Sequence, residues 1–193
     1  MQIVNKLGSN ICDNEYKSEK AVGQDVFCAV EKASVCDDEE VLGIGFLKGA
    51  DKMHYGMRAE YADASSAGNP VIKVTVQKGS GMTEEYNINI NDINTKNATE
   101  IEMFALCCYA DANGMGTGGT FGSWQTLNYY RDNANHNGYF EMSSTVEKFK
   151  ILKQDWMVMV SSMMKDYLNS GLYGQVLDGN KLLNIFEEYA GQR

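Results

Sequence analysis

Proline occurs once, at Pro70, and histidine twice, at His54 and His136, in 193 residues. A single proline excludes a proline-rich linker. Two histidines leave little material for imidazole chemistry or for a histidine-based metal site. Cysteine occurs five times, at Cys12, Cys28, Cys36, Cys107 and Cys108, but never as Cys-x-x-Cys. An odd number of scattered thiols predicts neither a disulfide framework nor a zinc site. Positive charge is also scarce: 17 Lys and Arg stand against 26 Asp and Glu, a net charge of -9. Phosphate neutralisation needs clustered cations, so direct nucleic-acid binding is not expected. No apolar run approaches the roughly 20 residues that cross a bilayer, and residues 1–8 are too polar for a secretion signal. The expectation is a cytoplasmic protein with reduced thiols and with no metal, cofactor or membrane attachment.

Hydrophobic residues make up 44% of the chain, with eleven methionines and eleven tyrosines. That is enough for one sizeable core, and thioethers suit an adaptable one. The acidic excess is spread rather than clustered. Residues 1–50 carry five Lys and Arg against nine Asp and Glu, and the one acidic run, Asp37–Asp38–Glu39–Glu40, reads as solvated surface.

Residues 1–40 read as a partly mobile amino-terminal arm. A short helix is expected over 21–33, where Val22, Val26, Ala29, Val30 and Ala33 recur at helical spacing. From residue 41 the pattern changes to strands. Leu42-Gly43-Ile44-Gly45-Phe46 alternates large and small, and its glycines predict either a tight turn or the close approach of another backbone. Met53, Tyr55, Met57, Ala59 and Tyr61 alternate with His54, Gly56, Arg58 and Glu60, the pattern of a strand with one buried face. Val71–Gln77 is β-branched, Gly79-Ser80-Gly81 marks a hairpin turn, and Tyr86, Ile88 and Ile90 alternate with asparagines. Together they predict an antiparallel meander of three or four strands over 41–92, wet on one face.

Helices are expected over 97–190, about four of them. Thr99-x-x-Glu102 is a capping box, and Asn113-Gly114 is a stop signal. Between them the sequence is apolar around most of the helix, which predicts a central position. Ser123 is expected to cap a second helix carrying Trp124, Leu127 and Tyr130, broken over 133–138. Phe149, Leu152, Trp156, Val160, Met163, Met164 and Tyr167 form one stripe. A short helical turn at 172–177 and a final helix over 181–190, separated by Asp178-Gly179-Asn180, complete the chain. The apolar faces of meander and helices predict a single α+β domain over 41–193.

Gly114 to Gly122 holds five glycines in nine residues, and Gly114-Met115-Gly116-Thr117-Gly118-Gly119 matches G-x-G-x-x-G. Such a loop before a helix could present amides to a phosphate. The dinucleotide motif, however, follows a strand, and this one follows a predicted helix. A turned helix–helix connection is the stronger reading. Asp111-Ala112-Asn113-Gly114 resembles the start of a calcium loop but lacks the later ligands. A cysteine nucleophile would need a base, and no spacing pairs His136 with Cys107 or Cys108. No catalytic residues are therefore assigned. Loops on a rigid scaffold often carry binding, so Met115, Thr117, Thr120, Phe121 and Trp124 are the expected contact residues.

The segments GIGFLKGADKMHYGMRAEYA (43–62), NATEIEMFALCCYAD (97–111) and GTGGTFGSWQTL (116–127) together resemble a family of uncharacterised cytosolic proteins of clostridia-like Firmicutes. The resemblance implies a bacterial cytosolic origin and carries over no catalytic residue. The leading functional expectation is a non-enzymatic binding or accessory protein acting on a protein partner. The alternatives are an acidic mobile-element inhibitor of a nuclease or defence complex, and a small-ligand or phosphate binder, or an enzyme, built on loop 114–122.

Overall fold

The structure, a computed structural model, describes residues 40–48, 54–78, 81–118, 122–141 and 146–189. The expected arm and the helix over 21–33 lie outside these residues. Four antiparallel strands run side by side in chain order: β1 (Val41–Lys48), β2 (His54–Tyr61), β3 (Val71–Gln77) and β4 (Thr83–Asn89). Short connections and alternating side chains dictate this meander. At the last hairpin Lys78 N–H donates to the Met82 carbonyl, and Gly81 adopts a φ of 81° that favours glycine.

One sheet face is apolar. Met57 pairs with Val76, Ala59 with Val74, Tyr61 with Ile72, and Ile72 in turn with Ile88. β1 departs from the rule that the other strands follow. Gly43, Gly45 and Leu47 pair with Ala59, Met57 and Tyr55, so its glycines share the core face. Ile44 and Phe46 point the other way and are 76% and 65% exposed. The close approach expected from the glycines is real, but helix side chains make it rather than a backbone. A Cβ on Gly45 would lie 2.6 Å from Trp124 Cδ1 and 2.9 Å from Phe104 Cε2. A Cβ on Gly43 would lie 2.6 Å from Cys108 Sγ.

Five helices follow: α1 (Glu100–Ala112), α2 (Gly122–His136), α3 (Val146–Ile151), α4 (Trp156–Asn169) and α5 (Tyr173–Glu188). The capping box opens α1 as expected: Glu102 N–H donates to Thr99 Oγ1 at 3.2 Å, and Thr99 N–H to Glu102 Oε2 at 2.6 Å. Met103, Phe104, Ala105, Leu106 and Cys107 are all fully buried, so α1 runs through the core between the sheet and the other helices. Each large apolar side chain so buried contributes about 1.5–3 kcal/mol before entropy is counted.

The helical boundaries differ from expectation, beginning with α2, which continues to His136 through part of the break expected over 133–138. The stripe read as one helix over 149–167 is broken between α3 and α4. Gln154 leaves the helix to pair with Ala98, each N–H donating to the other's carbonyl at 3.0–3.1 Å. Asp155 then caps α4 by accepting from Val158 N–H at 2.9 Å, and Trp156 Nε1 donates to the Ala98 carbonyl at 2.8 Å. Conversely, the expected break at 178–180 is absent and α5 is continuous. Gly179 sits inside the helix because a Cβ there would lie 2.5 Å from Met164 Cγ and 2.7 Å from the Tyr130 hydroxyl. Packing, and not chain reversal, explains this glycine.

An ion network closes the far end of the sheet. Glu84 accepts from Lys78 at 2.5 Å, from the Tyr86 hydroxyl and from Lys150 of α3 at 3.0 Å. The Lys78 bond first, then those from Tyr86 and Lys150, lower the Glu84 carboxyl from 4.5 to about 2. The folded state thus holds this carboxylate charged more readily than the unfolded chain does. Its stabilisation is full above pH 4.5 and is lost as pH falls through about 2. Thermal unfolding of wild type and Glu84→Gln should show a gap that is constant near neutrality and closes across that window.

Candidate functional site

The glycine loop is organised by a carboxylate from within the chain. Asp111, in the last turn of α1, reaches across to the start of α2. Its Oδ2 accepts from Ser123 N–H at 2.8 Å, and its Oδ1 from Ser123 Oγ at 2.6 Å. Ser123 Oγ accepts in turn from Thr117 N–H at 2.9 Å. The first amides of a helix lack partners within it and favour a negative group. Here Asp111 meets that need from twelve residues upstream, in place of the cap expected from Ser123.

The same contact explains two glycines of the stretch from Gly114 to Gly122. A Cβ on Gly116 would lie 1.8 Å from Asp111 Oδ1 and 3.0 Å from the Asp111 Cα. A Cβ on Gly122, whose φ is 67°, would lie 2.7 Å from Asp111 Oδ2. Gly116 and Gly122 thus close on a carboxylate of the chain itself. A phosphate approaching the α2 amides would meet a carboxylate already in place. Among the described residues no group of three or more His, Cys, Asp or Glu side chains is placed to hold a metal ion.

The expected contact residues separate. Met115 is exposed. Thr117 is buried, and its carbonyl accepts from Lys181 Nζ at 2.9 Å. Trp124 is only 4% exposed and packs edge-on against Phe104, with ring centroids 5.3 Å apart. It belongs to the core, and its Nε1–H finds no acceptor among the described residues. Thr120 and Phe121 lie outside the described residues.

Neither described thiol is activated. Burial foremost, and then the neighbouring Cys108, pushes the Cys107 thiol well above its ordinary value. Burial and the Asp111 charge push Cys108 up to about 12. A nucleophilic cysteine needs the opposite shift. His136 ends α2 with Nδ1 2.7 Å from the Asp132 carbonyl of its own helix, to which it donates.

Two features escaped the sequence reading. One is an ion pair sealed between α1 and α2: Arg131 Nη1 lies 2.6 Å from Glu100 Oε2, with side chains 2% and 1% exposed. Its signal was present, because Arg131 falls on the same helical stripe as Trp124, Leu127 and Ala134. The other is a groove of about 400 Å³ between β1 and the start of α2. Residues 42–46 line one side and Gly122, Trp124 and Gln125 the other, together with Cys108 and Asp111. No alternation pattern predicts it, since it depends on where α2 crosses the sheet edge.

No helix among the described residues is long and apolar enough to cross a membrane. No protein-family model, curated protein or solved structure matches this chain.

Proposed function

We propose that the protein is a non-enzymatic cytosolic binding protein that acts through contact with a protein partner. The observation that carries this reading is the outer face of β1, where Ile44 and Phe46 stand in water beside the half-exposed Val41. Apolar side chains grouped on an edge strand are a surface that soluble proteins usually avoid unless it is used. The potentially reactive groups point the same way. Asp111 holds a loop, Glu100 and Arg131 hold each other, and the thiols at 107 and 108 are free, buried and poorly ionised.

The test is affinity capture from the native cells with wild type and an Ile44→Asp/Phe46→Asp variant. Both side chains are solvent-facing, so the variant should keep its melting temperature. It should lose its partners by about tenfold or more, the effect of removing central apolar contacts worth at least 1.4 kcal/mol. Partners recovered in equal yield would overturn the reading. A Met115→Glu variant runs in parallel, and selective loss there would move the contact surface to the glycine loop.

A further inference from the structure

We propose that the groove between β1 and the start of α2 takes an extended peptide segment bearing a basic side chain, which adds to the sheet as a strand beyond β1. The proposal deepens the protein-contact reading and rests on it. Among the described residues no strand pairs with the outer edge of β1. An unpaired edge offers main-chain donors and acceptors to an incoming strand.

One contact shows which groups those are. Asn128 Nδ2 of α2 donates to the Phe46 carbonyl at 3.3 Å, so that carbonyl points off the edge and not toward β2. In an antiparallel pair this direction alternates by residue. The N–H and C=O of Ile44 therefore face the same open edge, two residues back along the groove wall. Asn128 already engages the Phe46 carbonyl, so an incoming strand would pair chiefly at Ile44.

The partner's charge follows from Asp111. Its two oxygens each accept one bond from Ser123, and a carboxylate has lone pairs for about four. It also lines the groove, with Gln125 as a neutral neighbour. The nearby ammonium of Lys181 is engaged elsewhere, on the Thr117 carbonyl and 3.6 Å from Asp178. The groove thus combines strand-pairing groups, an apolar lining at Leu42 and the edge of Trp124, and one negative charge. The net charge of -9 adds attraction for a basic segment at longer range.

The test uses the full chain and three fluorescein-labelled seven-residue peptides. They are an alternating Thr/Val sequence with a central lysine, its glutamate counterpart, and the lysine peptide N-methylated on alternate amides. By fluorescence anisotropy the lysine peptide should bind. The glutamate peptide should bind at least about tenfold more weakly, as like charges in an interface oppose docking, and the methylated peptide should not bind. Ile44→Pro removes the edge-facing N–H together with the side chain, a change edge strands tolerate, so it should keep the fold and weaken the lysine peptide at least about tenfold more than Ile44→Ala, which trims the side chain alone. If the proline variant unfolds, Gln125→Lys places a cation in the groove and should weaken the lysine peptide similarly.

Several results would overturn the proposal: no binding by the lysine peptide, equal binding of all three peptides, or unchanged binding by both folded variants. So would a wild-type dimer in sedimentation that Ile44→Pro dissolves, since a second copy would then occupy the edge. Peptide failure combined with partner loss in the Ile44→Asp/Phe46→Asp capture overturns strand addition and leaves the protein-contact reading standing. Failure of both experiments removes both.

Discussion

Replacing Arg131 by leucine should lower the unfolding free energy by about 3–5 kcal/mol, the usual cost of removing one partner from a buried ion pair. Glu100 sits in the first turn of α1 with its side chain 1% exposed, and the Arg131 guanidinium lies 2.6 Å away. The amino terminus of α1 favours a carboxylate there, but that term is only about 0.3–1 kcal/mol. It cannot replace the lost charge in a site closed to water. The diagnostic experiment is the double variant Glu100→Leu/Arg131→Leu. Two leucines of suitable volume remove the charge and its desolvation together, so much of the loss should return. Urea unfolding midpoints for the wild type, both single variants and the double measure this directly, provided the slopes agree. A double variant as unstable as the sum of the singles would show that the pair acts through shape and not through charge.

Gly116→Ala should cost about 3 kcal/mol, a large effect for one methyl group. The added carbon would overlap Asp111 Oδ1, at 1.8 Å. Rotating the carboxylate away gives up its bonds to the Ser123 amide and hydroxyl. Each bond to a charged group contributes about 1.5–3 kcal/mol. Shifting the loop instead is resisted by the Asp111 Cα, only 3.0 Å from the added carbon. Asp111→Asn should cost less, because one oxygen still accepts from Ser123 while the amide nitrogen cannot. Thermal unfolding, with the Ser123 amide followed by NMR, reads both changes. A Gly116→Ala protein that melts with wild type and retains the Ser123 amide shift would refute the carboxylate-centred account of the loop.

Local signals carried most of the architecture. Tyr55, Met57 and Ala59 alternate cleanly because one face of β2 is buried, and Thr99 with Glu102 marks the start of α1 because the box is a purely local device. Errors arose where a distant partner decides. The apolar stripe runs unbroken through Leu152, yet Ala98, more than fifty residues earlier, pulls Gln154 out of the helix. Gly179 resembles a break, but Met164 and Tyr130 require a small residue there. In the candidate site, the glycine spacing was visible and its cause was not. The G-x-G pattern reads first as a turned helix–helix connection, but nothing in the spacing shows that Asp111 supplies the group beside Gly116 and Gly122. Trp124 looked like a loop contact from its position in the chain, and only the missing side chain at Gly45 opened room for it in the core.

That room has a mechanical consequence. A strand that turns glycines inward anchors itself mainly through Leu47 and its ladder with β2, so lifting β1 uncovers little apolar area of its own. Segments of this kind open at a fraction of the global unfolding energy. β1 is therefore the natural weak seam of the sheet, and its amides should exchange ahead of those in β3. Whatever strand comes to lie along it would act as a clasp, stiffening the seam as it is recognised.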